Sequence, residues 1–220
     1  PTQEQAMTST AHINMINLQI SAVDLLKPGP GVDQRDYIWH SSYQTIPLGM
    51  DGNPANFAKG LRAAMPDVNT IRIGFNTHSF NADGTLHPQY EQFLTEAVKN
   101  GFQMVFVLND GGSQAFGSGG TASMSQLRTE LNTTIPNRVE KSWDQMLNWL
   151  DKHPDVARGT YGLEVLNEPA TYDRAEKMAG NTGEFVRLYG DHMTRAIAQI
   201  DARSDAKILV GGWAYSARFD

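Results

Sequence analysis

Cysteine is absent from the 220 residues, which excludes disulfide bonds, cysteine nucleophiles and cysteine ligands. A chain of this length can bury a large enough core to fold as one domain without disulfides, so the absence does not assign a compartment. No apolar run approaches the roughly 20 residues of a transmembrane helix, and we therefore expect no membrane partner. The formal net charge of −6, without clusters of Lys or Arg, argues against nucleic acid as a partner.

Metal and cofactor motifs are also missing. The six histidines form neither a His-Glu-x-x-His motif nor a pair separated by three residues. The glycine-rich segment 111–120 lacks the Gly-Lys-Ser/Thr ending of a phosphate-binding loop. We therefore expect no metal site and no cofactor.

Strand and helix patterns alternate along the chain. Continuous apolar runs predict five strands, at 13–23, 70–75, 102–108, 162–166 and 207–212. Helical spacing of apolar residues follows Asn53-Pro54 and His87-Pro88, and it recurs at 139–150 and 185–200. Alternating elements with continuous rather than alternating apolar strands predict an α/β fold with a parallel sheet covered by helices.

The fourth predicted strand ends in Asn167, Glu168 and a proline. Proline cannot donate a ladder hydrogen bond and favours an extended residue before it, so Glu168 is expected where the strand becomes a loop. Side chains alternate along a strand, which predicts that Glu164, Leu166 and Glu168 point to one side with Asn167 beside them at the rim. A turn that merely terminates the strand is the alternative interpretation.

This order of strand, Asn, Glu and Pro resembles the acid/base strand of clan A glycoside hydrolases, especially family 5, the cellulase-like group. The resemblance follows the order of elements over roughly residues 13 to 215. It implies a (β/α)8 TIM barrel with its chemistry at the carboxyl ends of the strands. It also implies that Glu168 is the general acid/base and that Asn167 hydrogen-bonds the sugar 2-hydroxyl.

Arg72 lies in a segment, 68–75, that resembles the second strand of the family. The arginine of that strand holds the nucleophilic carboxylate, a task that suits a guanidinium because it can bind a carboxylate bidentately. Another role is equally open from the residues themselves. Arg72 can neutralise Glu164 inside the barrel, since a buried charge requires a partner.

Further substrate contacts are expected at the ends of other strands. The third strand ends in Asn109 and Asp110, where family members commonly carry Asp-Leu-His, and either a sugar contact or plain loop capping fits Asn109. Trp213 follows the fifth strand, where it can stack on a pyranose ring or belong to the core. Tyr172 and Tyr215 are additional candidates for binding the substrate.

The number of strands falls short of a closed barrel, which has eight strands and about 250 residues. We therefore expect residues 1–12 to be a leader and residues 13–220 to be the N-terminal part of a single barrel domain, supplying about strands one to five. The family nucleophile is a Glu at the end of strand seven. The Glu residues other than Glu164 and Glu168 fall in helical patterns, loops or the leader, so the nucleophile is expected on the C-terminal remainder of the barrel.

The resemblance predicts a retaining endo-β-glycosidase that hydrolyses β-1,4-linked glucan or a related plant-wall polysaccharide and is secreted from the cell. The alternative is a carbohydrate-binding or structural barrel fragment without catalysis. A lyase or aldolase would need a Schiff-base lysine at a strand end, and Lys207 instead begins its strand.

Overall fold

The structure, a computed structural model, describes residues 12–18, 53–109 and 123–212. These residues contain one five-stranded parallel sheet with the strand order β1-β2-β3-β4-β5. The strands are β1 (Met15–Leu18), β2 (Thr70–Phe75), β3 (Gln103–Leu108), β4 (Thr160–Glu164) and β5 (Lys207–Leu209). The five predicted strands are confirmed, although β4 begins and ends two residues earlier than predicted and β5 is shorter. The predicted strand at 13–23 is tested only in part, because residues 19–23 lie outside the described residues.

Sequence order and spatial order coincide throughout the sheet. A doubly wound sheet reverses its order at a switch point, whereas the strands of a barrel follow one another around the axis. The fold is therefore α/β of the (β/α)8 type, and the described residues contain five of its strands. The carboxyl ends of β2, β3 and β4 lie side by side at one edge of the sheet.

Helices fill the connections between the strands. They are α1 (Pro54–Ala64), α2 (Pro88–Lys99), α3 (Met124–Thr129), α4 (Ile135–Lys152), α5 (Pro154–Arg158), α6 (Ala170–Met178) and α7 (Glu184–Asp201), with a π-helical segment, Glu130–Thr134, joining α3 to α4. The four predicted helices correspond to α1, α2, α4 and α7. None of the helices in the described ranges has the length and apolarity required to cross a membrane.

The helix starts follow from local sequence. The side chain of Asn53 accepts hydrogen bonds from the backbone N–H groups of Ala55 and Asn56 and so caps α1. Prolines occupy the first positions of α1, α2 and α5, where a missing N–H costs no intrahelical hydrogen bond. Tertiary packing then fixes the helices on the sheet.

The two faces of the sheet differ in chemistry. Alternate side chains on one face join the apolar core beneath the helices, namely Ile71, Ile73, Phe75, Met104, Phe106, Leu108 and Leu163. The residues between them belong to the opposite face, namely Arg72, Gly74, Val105, Val107, Gly162 and Glu164. The helix-facing side therefore supplies the core, and the charged side chains lie on the face that becomes the interior of a barrel.

Two buried aromatic donors tie helices to strand ends. The hydroxyl of Tyr90 on α2 donates to the carbonyl of Gly74 at 2.6 Å, and the indole N–H of Trp143 on α4 donates to the carbonyl of Val165 at 3.0 Å. Burial raises the pKa of Tyr90, so its hydroxyl stays protonated as a donor. These bonds fix the carboxyl ends of β2 and β4 relative to helices α2 and α4.

Replacing Tyr90 by Phe tests this anchoring. Tyr90→Phe keeps the ring in the core but removes the bond to Gly74, and we expect the free energy of unfolding in urea to fall by about 0.5–1.5 kcal/mol. Tyr161→Phe is the matched control, because the half-buried Tyr161 makes no hydroxyl hydrogen bond within the described residues. Equal stability changes in the two variants would contradict the anchoring role.

Candidate active site

The site is organised around an ion pair between Arg72 on β2 and Glu164 at the end of β4. The Nε of Arg72 donates to Oε2 of Glu164 at 2.6 Å, and its Nη2 donates to Oε1 at 2.8 Å. The two side chains are only 20% and 15% exposed, respectively. Of the two roles open to Arg72, the structure shows the neutralisation of Glu164.

Two amide side chains complete the surroundings of the guanidinium. Nη2 of Arg72 donates to Oδ1 of Asn167 at 3.0 Å, and Nη1 donates to Oδ1 of Asn17 at 2.8 Å. A guanidinium has five N–H donors, and the two bonds to Glu164 and the two to the amides leave one N–H for all further partners. Arg72 therefore has no bidentate edge left for a second carboxylate.

The backbone after β4 departs from the predicted alternation. Glu164 and Asn167, three residues apart, bind the same guanidinium, while Leu166 joins the buried apolar cluster and Glu168 is exposed. The prediction that Glu164, Leu166 and Glu168 share one side is therefore wrong. Its physical reason is that the β4 ladder ends at Glu164, so strict alternation stops there.

Glu168 occupies an unusual backbone conformation. Its φ of 41° lies in the left-handed region, which a non-glycine residue seldom adopts. The segment is held on both sides, because Asn167 N–H donates to the carbonyl of Leu108 at 2.8 Å and Ala170 N–H donates to the carbonyl of Glu168 at 2.6 Å. The strand end thus presents Glu168 to solvent immediately beside the Arg72 network.

Asn109 lies at the neighbouring strand end. Its backbone N–H donates to the carbonyl of Phe75 at 2.9 Å, which continues the pairing of β2 and β3 by one residue. Its side-chain amide occupies the space that a Cβ atom on Gly74 would fill. Gly74 therefore lets the Asn109 amide lie against the backbone of β2, between the ends of β2 and β4.

Tyr172 does not lie where the sequence suggested. It is fully buried on α6, its hydroxyl is hydrogen-bonded to Nδ1 of His192 at 2.7 Å, and its ring packs edge-on against Tyr189. The prediction that Tyr172 binds substrate is wrong, because helix α6 begins directly after Pro169 and turns this side chain into the core. Trp213, Tyr215 and also Asp110 lie outside the described residues.

Sequence reasoning missed two polar residues close to Arg72 and Glu164. Asn17 on β1 contacts Arg72, and its only signal was its position between Ile16 and Leu18, which pack on the core. Tyr189 on α7 donates its hydroxyl to the carbonyl of Gly211 at 2.7 Å. Burial, together with the charge of Glu164, raises the pKa of Tyr189 to about 12, so this hydroxyl also remains a donor.

The carboxylate inventory of the described residues is short. Apart from Glu164 and Glu168, every described Glu lies in a helix, namely Glu91, Glu96, Glu130, Glu140, Glu176 and Glu184. Their predicted placement away from strand ends is confirmed. Within the same part of the chain, no group of three or more His, Asp or Glu residues is arranged to hold a metal ion.

No protein-family model matches the chain, and no curated protein matches it. Among solved structures it is similar to endoglucanase Cel5A of Pseudomonas stutzeri, with 19% identity and a TM-score of 0.39 over 72% of this chain and 44% of that one. It is also similar to a β-mannanase from the blue mussel Mytilus edulis, with 14% identity and a TM-score of 0.35 over 74% of this chain and 52% of that one.

The chain thus spans about half the length of these two enzymes. At such identities and TM-scores the likeness decides nothing about reaction or substrate. Both depend on the residues that this chain places at the ends of its strands.

The glycine at position 74 provides a test of the site geometry. Gly74→Ala would press its new Cβ into the Asn109 amide, and overpacking of this kind costs about 1–3 kcal/mol of unfolding free energy. Gly60→Ala is the matched control, because Gly60 is an exposed residue of α1 with open space around it, and we expect a gain of about 0.5–1 kcal/mol. Urea denaturation of both variants checks this, and a neutral Gly74→Ala would refute the close approach.

The buried His192 predicts a pH dependence of stability. Burial, with a smaller contribution from Arg195, lowers its pKa from 6.5 to about 4 in the folded chain. Between these values the unfolded chain binds a proton that the folded chain does not, so stability falls as pH falls, by up to about 1.4 kcal/mol per pH unit. His192→Gln should remove this component of the slope in urea titrations from pH 7 to pH 4.

The exposed His12 supplies the control for that titration. We expect His12→Gln to keep the slope of the parent protein. A His192→Gln variant whose stability curve runs parallel to the parent curve over the whole range would contradict the assignment.

Proposed function

We propose that this chain is the N-terminal part of the barrel of a retaining endo-β-glycosidase that acts on β-1,4-linked glucan or a related plant-wall polysaccharide. One observation carries the proposal. Glu168 is exposed and lies next to Asn167 in the loop after β4. The side-chain amide of Asn167 accepts a hydrogen bond from Arg72, which is paired with Glu164. The resemblance of the Asn-Glu-Pro strand to clan A hydrolases supports the same interpretation.

Glu168 is suited to the general acid/base role. A glycosidic oxygen must receive a proton as it leaves, and a carboxylic acid at the edge of a cleft can supply it. The exposed side chain of Glu168 can reach a polymer bound across the strand ends. Its left-handed backbone supports a functional role, because strained conformations of non-glycine residues cluster at active sites.

Asn167 is suited to bind the sugar next to the cleaved bond. Its Oδ1 accepts from Arg72, so the other end of the planar amide, Nδ2, is the end that can donate to a substrate hydroxyl. Hydrogen bonds to the 2-hydroxyl strengthen in the oxocarbenium-like transition state. Asn109, at the end of the neighbouring strand, is proposed to contact an adjacent part of the substrate.

The nucleophile is proposed to lie on the remainder of the barrel, outside the described residues. Glu164 still belongs to the β4 ladder, where it pairs with Leu209, whereas the proposed nucleophile is a Glu at the end of a later strand. In a retaining enzyme the nucleophilic carboxylate should lie about 5–5.5 Å from that of Glu168. Because its substrate is an extracellular polymer, we propose that the enzyme is secreted.

A carbohydrate-binding barrel without catalysis is the second candidate. Within the described residues, Glu164 is the only Glu near a strand end besides Glu168, and its carboxylate is bound by Arg72. The lack of another candidate for the nucleophile there favours a binding function. The two functions differ in one measurable property. Only the catalytic one requires Glu168 as an acid.

Glu168→Gln in active protein that contains this chain tests the acid role. We expect roughly a 10²–10⁴-fold loss of turnover on a β-glycoside with a poor leaving group, which needs protonation. A dinitrophenyl glycoside needs no proton at its leaving oxygen, so its glycosylation step should be affected far less. Pre-steady-state measurement of that step on both substrates checks the expectation.

Glu140→Gln is the matched control, because Glu140 is an exposed carboxylate on helix α4 and takes no part in the Arg72 hydrogen bonds. It should retain full activity on both substrates. A Glu168→Gln loss of the same size on both substrates would rule out the acid/base assignment.

A further inference from the structure

The geometry points to Glu164 as a positioning residue that acts on substrate binding through Arg72 and Asn167. This inference rests on the proposed function and adds a residue to it. Glu164 itself touches no substrate in this scheme. It fixes the guanidinium, and the guanidinium in turn fixes which end of the Asn167 amide faces the sugar.

The first step concerns the Asn167 amide. An asparagine can present either an acceptor oxygen or a donor NH₂ group to a ligand, because the two ends have nearly the same shape. Arg72 carries only donors, so its bond to Asn167 selects Oδ1 and directs Nδ2 away from the guanidinium. The amide thereby becomes a donor for a hydroxyl oxygen beside Glu168.

The second step concerns Arg72. Arginine has a long, flexible side chain, and one hydrogen bond would not fix the plane of its guanidinium. The bidentate contact with Glu164, at 2.6 and 2.8 Å, does fix that plane. Once the plane is set, the second Nη2 hydrogen points to Asn167 and an Nη1 hydrogen points to Asn17.

The third step concerns the loss of the carboxylate. Glu164→Gln replaces one of its oxygens by an NH₂ group, which is a donor like the guanidinium, so the bidentate contact between these two mostly buried side chains is lost. Arg72 would then turn toward water or toward another carboxylate of the site. In either case Asn167 loses the donor that orients its amide.

The effect of removing Glu164 distinguishes a purely structural ion pair from a positioning residue. If the pair only stabilises the fold, its removal should affect every substrate alike, with or without Asn167. If Glu164 acts through Asn167, its removal should cost little once the Asn167 amide is gone, because residues in one hydrogen-bond network are not additive.

A double-mutant cycle measures this coupling in active protein that contains this chain. The four proteins are the parent, Glu164→Gln, Asn167→Ala and the double variant, assayed for kcat/KM on an aryl β-cellobioside. We expect Glu164→Gln to lower kcat/KM on the order of 10–100-fold in the parent. In the Asn167→Ala background, Glu164→Gln should change kcat/KM by no more than about twofold.

A substrate that lacks the 2-hydroxyl of the cleaved sugar gives an internal check. On this 2-deoxy glycoside, Glu164→Gln should lose little relative to the parent, because the contact it protects is absent. Equal losses on both substrates, or equal losses in both Asn167 backgrounds, would overturn the positioning role. Arg72→Lys, which keeps the positive charge but not the fork, should reproduce the Glu164→Gln pattern, and it serves if Glu164→Gln does not fold.

A readout without turnover separates this inference from the proposed function. In ¹⁵N-labelled protein, Glu164→Gln should shift the Arg72 Nε–H signal and the side-chain amide signals of Asn167, and the control Glu140→Gln should shift neither. Unchanged Asn167 signals would overturn the inference even in an active enzyme. If the parent cleaves no β-glycoside, the proposed function fails, and the same spectra still decide whether Glu164 positions Asn167.

Discussion

The arrangement of polar groups in this chain depends on the bidentate contact between Arg72 and Glu164. The pair spans three strands, since Arg72 is on β2, Glu164 ends β4, and β3 lies between them. Two mostly buried charges are tolerated there because each satisfies the other, so a change at either partner would disturb a charge in a poorly solvated place. The remaining guanidinium donors then order Asn17 and Asn167, so one ion pair connects β1, β2 and the loop that carries Glu168.

Stability and chemistry occupy opposite faces of the same sheet. The helix-facing side chains, such as Phe75 against Trp143, form a dry core, and the indole of Trp143 also holds the backbone of Val165. The face with Arg72 and Glu164 lies outside the main apolar cluster, and it combines the buried Val105 and Val107 with this ion pair. A rigid scaffold of this kind keeps strand-end groups in place, which is what a catalytic carboxylate such as Glu168 requires.

The sequence predicted the strands in the middle of the sheet and the long helices, but it missed the backbone after β4, the short helices and the contact of Asn17. The strands β2 and β3, the helices with strong apolar periodicity and the pairing of Arg72 with Glu164 all follow from local patterns and from the need of a buried charge for a partner. The predicted alternation of side chains fails after Glu164, because alternation applies to a paired strand and the β4 ladder ends at Glu164. The helices α3, α5 and α6 have at most nine residues, too few for apolar periodicity to identify them as helices. Because α6 was not recognised, Tyr172 was expected in a loop at the strand ends and not in the core. The contact of Asn17 joins residues 55 positions apart, and only the fold brings them together.

The most direct test of this account is a crystal structure of active protein that contains this chain with an unhydrolysed β-1,4-linked oligosaccharide bound. The account predicts that the sugar 2-hydroxyl accepts from Nδ2 of Asn167 and that the Glu168 carboxyl lies within hydrogen-bond distance of the glycosidic oxygen, while Arg72 remains bidentate on Glu164. A sugar bound away from the end of β4, or a Glu164 that leaves Arg72 to contact the sugar itself, would contradict it.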